Sequence, residues 1–399
     1  MSAHVVVVGG GIAGLAAAHA LRRDGPPGVR LTILEGAGAL GGKLRTSSVG
    51  GVAVDEGAET FLARLPEAID LVRAVGLEAD LVHPVTTSAS IAVDGRLRPL
   101  PTGTVMGVPA DLDALASSGV LSAAGLARVL DAAAGGGEAV HADVAVGELV
   151  RSRLGPEVVE RLVDPLLGGV YAGRADVLSL QATMPALAAA LSAPLSLVEA
   201  AGQARGVMEP GAPVFASLRQ GMGALVERLA AVIDADIRLG LPVREVRRIG
   251  AGFGISAGPV PAPTLLTADA VVIAAPAAPA ARMLRELCPA AASELAAIEY
   301  ASVAIVTLVY PAGPLPPGSG LLVATSEHRA VKAVTFSSQK WAHLGGEQTV
   351  IRASIGRHGE EATLQRDDED LVAVARREIA GLTGIQAHPV ATRVSRWGG

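Results

Sequence analysis

The chain has 399 residues, 50% of them hydrophobic, with 33 basic against 39 acidic side chains and a formal net charge of −6. That length gives room for a large core and two or more domains, and mild acidity with no basic block excludes nucleic acid as a partner. No stretch of about eighteen apolar residues escapes charge, glycine clusters or proline, so no transmembrane segment is expected; Cys288, the sole cysteine, excludes an internal disulfide and fits a reducing, cytoplasmic setting.

Val5–Val8 reads as a buried strand that begins too soon, and without a basic leader, to be a signal peptide. It runs into Gly9-Gly10-Gly11-Ile12-Ala13-Gly14 and then an alanine-rich helix, after which Leu31–Leu34 reads as a second strand ending at Glu35. This order of strand, glycine turn, helix, strand and acid is suited to a dinucleotide. Gly9 permits the tight turn, Gly11 lets the backbone approach a pyrophosphate, and Gly14 lets the helix close on the sheet. The amides at Ile12 and Ala13 then face the anion, and Glu35 stands where a carboxylate accepts hydrogen bonds from ribose hydroxyls.

The chain continues through Gly36-Ala37-Gly38-Ala39-Leu40-Gly41-Gly42-Lys43 and then Val54-Asp55-Glu56-Gly57-Ala58-Glu59. Here it resembles the amine-oxidase-type flavoprotein superfamily. The resemblance implies FAD as cofactor, with Gly41, Gly42 and Lys43 at its diphosphate and Gly57 and Ala58 near the ring system. Lys43 replaces the arginine usual at that place, which keeps the charge but loses the planar fork.

Further along, a helix is expected around Pro66–Val75, and Asp94-Gly95 between two short strands signals a hairpin. Residues 104–206 carry helical periodicity, with a helix from near Val144. Gly221-Met222-Gly223 precedes another helix; Val243–Ile249 and Ala270–Ala274 read as strands. The resemblance puts Val243 at the adenine and Ala275 and Pro276 against the cofactor. Strands are expected at Val303–Tyr310, Gly320–Thr325, Val331–Phe336 and Val350–Ile355, then a helix from Asp368 to Ala380. The whole reads as an α/β protein, a Rossmann-like FAD-binding domain (1–84 and 213–290) interleaved with a mixed α+β substrate-binding sheet domain (85–103 and 291–399) and a helical subdomain (104–212). The chain stops at Gly399 where the resembled family continues with a last FAD-contacting segment, so a longer parent protein is expected.

Val163-Asp164-Pro165-Leu166-Leu167-Gly168-Gly169-Val170-Tyr171-Ala172-Gly173, with Leu100-Pro101-Thr102-Gly103, is similar to the porphyrinogen oxidase family within that superfamily. The resemblance places Gly169, Tyr171 and Leu322 in the substrate wall and leaves Arg96, Arg98, Arg174 and Lys340 as candidates for substrate propionates. It implies oxygen-dependent oxidation of a porphyrinogen in heme biosynthesis, with coproporphyrinogen III favoured over protoporphyrinogen IX. Transient contact with neighbouring heme-pathway enzymes is also implied. Flavin-centred chemistry calls for no catalytic triad and no metal, and the eight scattered histidines give no ligand spacing. Carotenoid desaturation, amine oxidation and a non-catalytic flavin-binding role are the rivals; an amine oxidase needs an aromatic cage, and aromatic residues are only 2% of this chain.

Overall fold

The computed structural model describes residues 2–206 and 213–398, so the last six residues expected in the helical subdomain, 207–212, lie outside the described residues. The chain divides into two compact units. The first comprises Met1–Ser48, Ala53–His83 and Val214–Glu299; the second comprises Val49–Val52, Pro84–Pro213 and Tyr300–Gly399.

In the first unit the strand His4–Val8 lies between Arg30–Leu34 and Ala270–Ile273, and Asp236–Arg238 flanks Arg30–Leu34; all pair in parallel. The unbroken valine run has a physical reason, because both faces of this strand are covered. Val5 and Val7 pack with Leu15 and Ala18 of helix Ile12–Asp24 and with Leu225 and Leu229 of helix Gly223–Val232. Val6 and Val8 pack with Val246 and Ile255 from an antiparallel layer, Val243–Ile249, Gly252–Ala257 and Thr264–Ala268.

The second unit is built on a seven-stranded sheet in the order Ala391–Trp397, Val303–Pro311, Gln348–Ile355, Val331–Phe336, Gly320–Val323, Ser90–Val93, Arg96–Pro99. Its pairs are antiparallel except Gly320–Val323 beside Ser90–Val93. One face is apolar: Val306, Leu308, Val334, Ile351 and Ala353 pack with Leu371, Val374, Ala375 and Ile379, the buried stripe of helix Asp368–Thr383. The Asp94-Gly95 turn has φ of 52° and 69°, the left-handed pair that a two-residue hairpin demands. The expected strand Gly320–Thr325 ends at Val323, because Thr325–Glu327 coils into a 3-10 turn closed by His328 in the left-handed region. A further strand, Ala391–Trp397, pairs along its length with Val303–Val309.

The helical region does not form a body of its own. Ile91, Val93 and Ala324, at the sheet, share one core with Leu115, Val150, Leu162 and Leu167 of the helices. Among the described residues no helix is long and apolar enough to cross a membrane.

Candidate functional site

The first unit presents a rim shaped by the absence of side chains. Gly9 has φ of 111°, and a Cβ there would lie 2.5 Å from the Ala274 carbonyl oxygen. A Cβ on Gly14 would overlap the Gly9 carbonyl oxygen, so strand and helix can close only over glycine. Gly11 differs, because a Cβ there meets nothing within 4 Å. Helix Ile12–Asp24 starts at Gly11 with no side-chain cap and no acid in its first turn. Its leading amides, those of Ile12 and Ala13 included, therefore lack intrahelical partners and face open space, which is what an extended dinucleotide's pyrophosphate requires. The residues fit the group.

The other cofactor candidates border the same rim. Gly41 (φ 104°) donates from its amide to the Gly10 carbonyl at 2.8 Å, and Gly41 bridges Gly11 in parallel. A Cβ on Gly42 would stand 3.5 Å from the Gly11 Cα. The exposed Lys43 follows, and its carbonyl accepts the Ala58 amide at 3.0 Å, which brings Gly57 and Ala58 alongside. The Leu241 amide donates to the Glu35 carbonyl at 2.8 Å, which sets Val243 just beyond the acid. The Ala274 amide donates to Val8 at 2.8 Å, so Ala275 and Pro276 leave the sheet beside Gly9, with Pro276 capping helix Ala277–Leu284.

Glu35 does more than its sequence position suggests. One carboxylate oxygen accepts the Gly10 amide at 2.6 Å and the other accepts the Ala37 amide at 2.7 Å. The acid braces the glycine turn while each oxygen keeps a lone pair for a ribose hydroxyl. Replacing Glu35 by glutamine should turn an NH2 group toward one of these amides. The expected result is about tenfold faster release of flavin, followed by its fluorescence, and a lowered melting temperature; unchanged retention would remove Glu35 from the cofactor site.

A polar anchor escaped the sequence reading. The buried Asp55 accepts the Thr46 hydroxyl at 2.6 Å and the Met222 amide at 2.9 Å, and Thr46 Oγ1 accepts the Gly223 amide at 2.9 Å. The start of helix Gly223–Val232 is thereby tied to the segment that leads into Gly57. An acid closing the apolar run Val52-Ala53-Val54 was the available signal.

In the second unit, helix Asp164–Tyr171 follows a widened π turn over Val159–Val163 and ends on Ala172, a non-glycine residue with φ of 56°. Asp164 holds this end: its Oδ1 accepts the Ala175 amide at 2.7 Å and its Oδ2 the Thr325 hydroxyl at 2.6 Å. A Cβ on Gly169 would lie 3.5 Å from Leu322 Cδ2, so these two expected wall residues do meet. Tyr171 is 44% exposed and its hydroxyl donates to the Thr183 carbonyl at 3.2 Å.

Of the four propionate candidates, Arg174 and Lys340 are each engaged by neighbouring groups. Arg174 is engaged by Glu360 at 2.9 Å and by the His358 carbonyl at 3.1 Å. Lys340 lies past the end of strand Val331–Phe336, with its ammonium 5.1 Å over the Trp341 ring. Sequence reading named neither Lys332, Arg352 nor Arg357, all buried. Arg352 stands in register with Thr307 and Thr335, on the sheet face away from helix Asp368–Thr383. Its signal was a basic residue inside an otherwise buried strand.

Comparison with known proteins agrees with this geometry. Residues 12–399 match the family model of flavin-containing amine oxidoreductases. A coproporphyrinogen III oxidase of Mycobacterium leprae (strain TN) is 37% identical over 402 residues, covering 98% of this chain and 86% of the relative. Another from Bacillus subtilis (strain 168) is 32% identical, covering 99% and 86%. A crystal structure from Exiguobacterium sp. 255-15, assigned provisionally as a protoporphyrinogen oxidase, superposes with a TM-score of 0.86 at 32% identity, covering 99% of this chain and 86% of that one.

Proposed function

The chain belongs to the flavin-containing amine oxidoreductase family, and we propose that it is an FAD-dependent oxidase converting coproporphyrinogen III to coproporphyrin III in heme biosynthesis. The likeness over 98% of the chain to a coproporphyrinogen III oxidase carries this reading. The open rim at Gly11 supports its cofactor half, and the Gly169–Leu322 wall supports its substrate half. FAD, when bound, takes up electrons in pairs and passes them to an acceptor. The porphyrinogen gives up six electrons and six protons in three two-electron steps, so three molecules of oxygen become three of hydrogen peroxide.

The protein's own task is binding and orientation. The amides at Ile12 and Ala13, with Lys43, hold the diphosphate, and Glu35 receives the ribose hydroxyls. In the second unit Gly169 leaves room against Leu322, which offers an apolar surface to a macrocycle. We place the reaction in the cytoplasm, with the product passed through transient contact to a neighbouring enzyme of the same pathway.

Two measurements test the reading. Anaerobic mixing of the FAD-loaded protein with coproporphyrinogen III should bleach the flavin and yield porphyrin fluorescence; absence of bleaching would overturn the activity. The ratio of kcat/KM for coproporphyrinogen III over protoporphyrinogen IX should exceed about ten, ~1.4 kcal/mol in transition-state binding. The reverse preference would give the protoporphyrinogen reading instead.

A further inference from the structure

Strand Val331–Phe336 carries a bulge. Val331 pairs with Ile355 and Ala333 with Ser354, so Lys332 has no residue opposite it. A bulge of this kind re-aims a side chain. Lys332 is only 3% exposed, and the charges that act on its ammonium are those of Arg357 and Glu360. Beside it stands Arg357, 5% exposed, with its guanidinium 3.6 Å from one oxygen of Glu360. The other Glu360 oxygen is taken by Arg174 at 2.9 Å. Three cations therefore share one carboxylate. Burial, with the Arg357 charge adding to it and Glu360 opposing, pulls the Lys332 ammonium down to about 8. Buried positive charge in excess of the carboxylate that faces it is destabilising, so a site that keeps it calls for a further anion in its working state.

The location gives that anion an identity. The His358 amide donates to the Ala172 carbonyl at 2.9 Å, which joins this cluster to the turn that follows Gly169 and Tyr171. Ala333, the residue after Lys332, is the cross-strand partner of Leu322. The cations thus border the Gly169–Leu322 wall within the same unit. A guanidinium fork beside a compact ammonium suits a carboxylate.

We propose that Lys332 and Arg357 form a carboxylate-binding subsite that takes a propionate of the substrate, an inference that rests on the porphyrinogen reading above. A substrate with four propionates engages it where one with two propionates and two vinyls need not, which makes these residues determinants of specificity.

The test is a fluorescence titration of the FAD-loaded protein with coproporphyrin III and with its tetramethyl ester, using wild type, Lys332→Met, Lys332→Arg and Arg357→Gln. The free tetracarboxylate should bind Lys332→Met and Arg357→Gln at least tenfold more weakly than wild type, with Lys332→Arg restoring most of the loss. The ester should bind wild type and Lys332→Met alike. The melting temperature of unliganded Lys332→Met should rise, because one buried charge of the uncompensated excess has gone; a purely structural lysine would move it down. Equal affinity of wild type and Lys332→Met for the tetracarboxylate, or an equal loss for the ester, would overturn the subsite. Because these readouts need no turnover, failure of the flavin-bleaching experiment would count against the proposed reaction and not by itself against this binding site.

Discussion

Replacing Gly14 by alanine should abolish FAD retention and destabilise the first unit by about 3 kcal/mol. The added Cβ overlaps the Gly9 carbonyl oxygen, a backbone atom, so the helix must lift from the strand and the turn must open. Gly11→Ala makes the contrasting case. Its φ of −73° is ordinary for alanine, and its Cβ meets no protein atom within 4 Å, so the apoprotein should keep its melting temperature, with a change within about 0.5 kcal/mol. Flavin affinity should nevertheless fall about 100-fold, ~2.7 kcal/mol, because the methyl group occupies space meant for the pyrophosphate. Calorimetry of apoproteins beside flavin titration checks both. Should Gly11→Ala bind FAD as wild type does, the open space over Gly11 is not the diphosphate site.

The second large effect is expected at Asp164. Alanine there removes two charge-assisted hydrogen bonds, both accepted by the carboxylate, from the Ala175 amide at 2.7 Å and from the Thr325 hydroxyl at 2.6 Å, in a buried setting. The cost should be about 3 kcal/mol, since the Ala175 amide is left without an acceptor. Asparagine should cost about 1 kcal/mol, because it keeps an oxygen for Ala175 while the Thr325 hydroxyl can turn to accept from its amide. With the Ala172–Ala175 turn loosened, KM for the porphyrinogen should rise about tenfold in Asp164→Ala, while flavin content stays at the wild-type level. Loss of flavin in parallel with the KM effect, or no change in either, would remove Asp164 from its role in supporting the wall.

The dinucleotide turn was legible from the chain because its requirements are local. A strand covered on both faces reads as Val5–Val8, the turn needs φ of 111° at Gly9, the helix closes on the strand only over Gly14, and the space over Gly11 is left open. The Asp94-Gly95 hairpin and the helix Asp368–Thr383 were legible for the same reason, since a left-handed turn and a 3.6-residue stripe are written in adjacent residues. Family resemblance supplied what locality could not, the expectation that Val243, Ala275 and Pro276 lie at the cofactor and Leu322 at the substrate. What escaped both depends on residues far apart in sequence. Glu35 as a brace for Gly10 depends on where the second strand stops, and Asp55 gains its meaning only when Met222 folds onto it. Arg174 looked available until Glu360 arrived from 186 positions away. Lys332 gave no signal at all in sequence, where a lysine is ordinarily a solvated charge; a bulge in one strand and an arginine from the end of another placed it in the interior. The sequence by itself determined the cofactor turn, the elements and the family, because these rest on backbone geometry and local periodicity. Only the tertiary structure decided which charges are neutralised and which are left waiting, because desolvation and pairing depend on what the remainder of the chain brings to the same place.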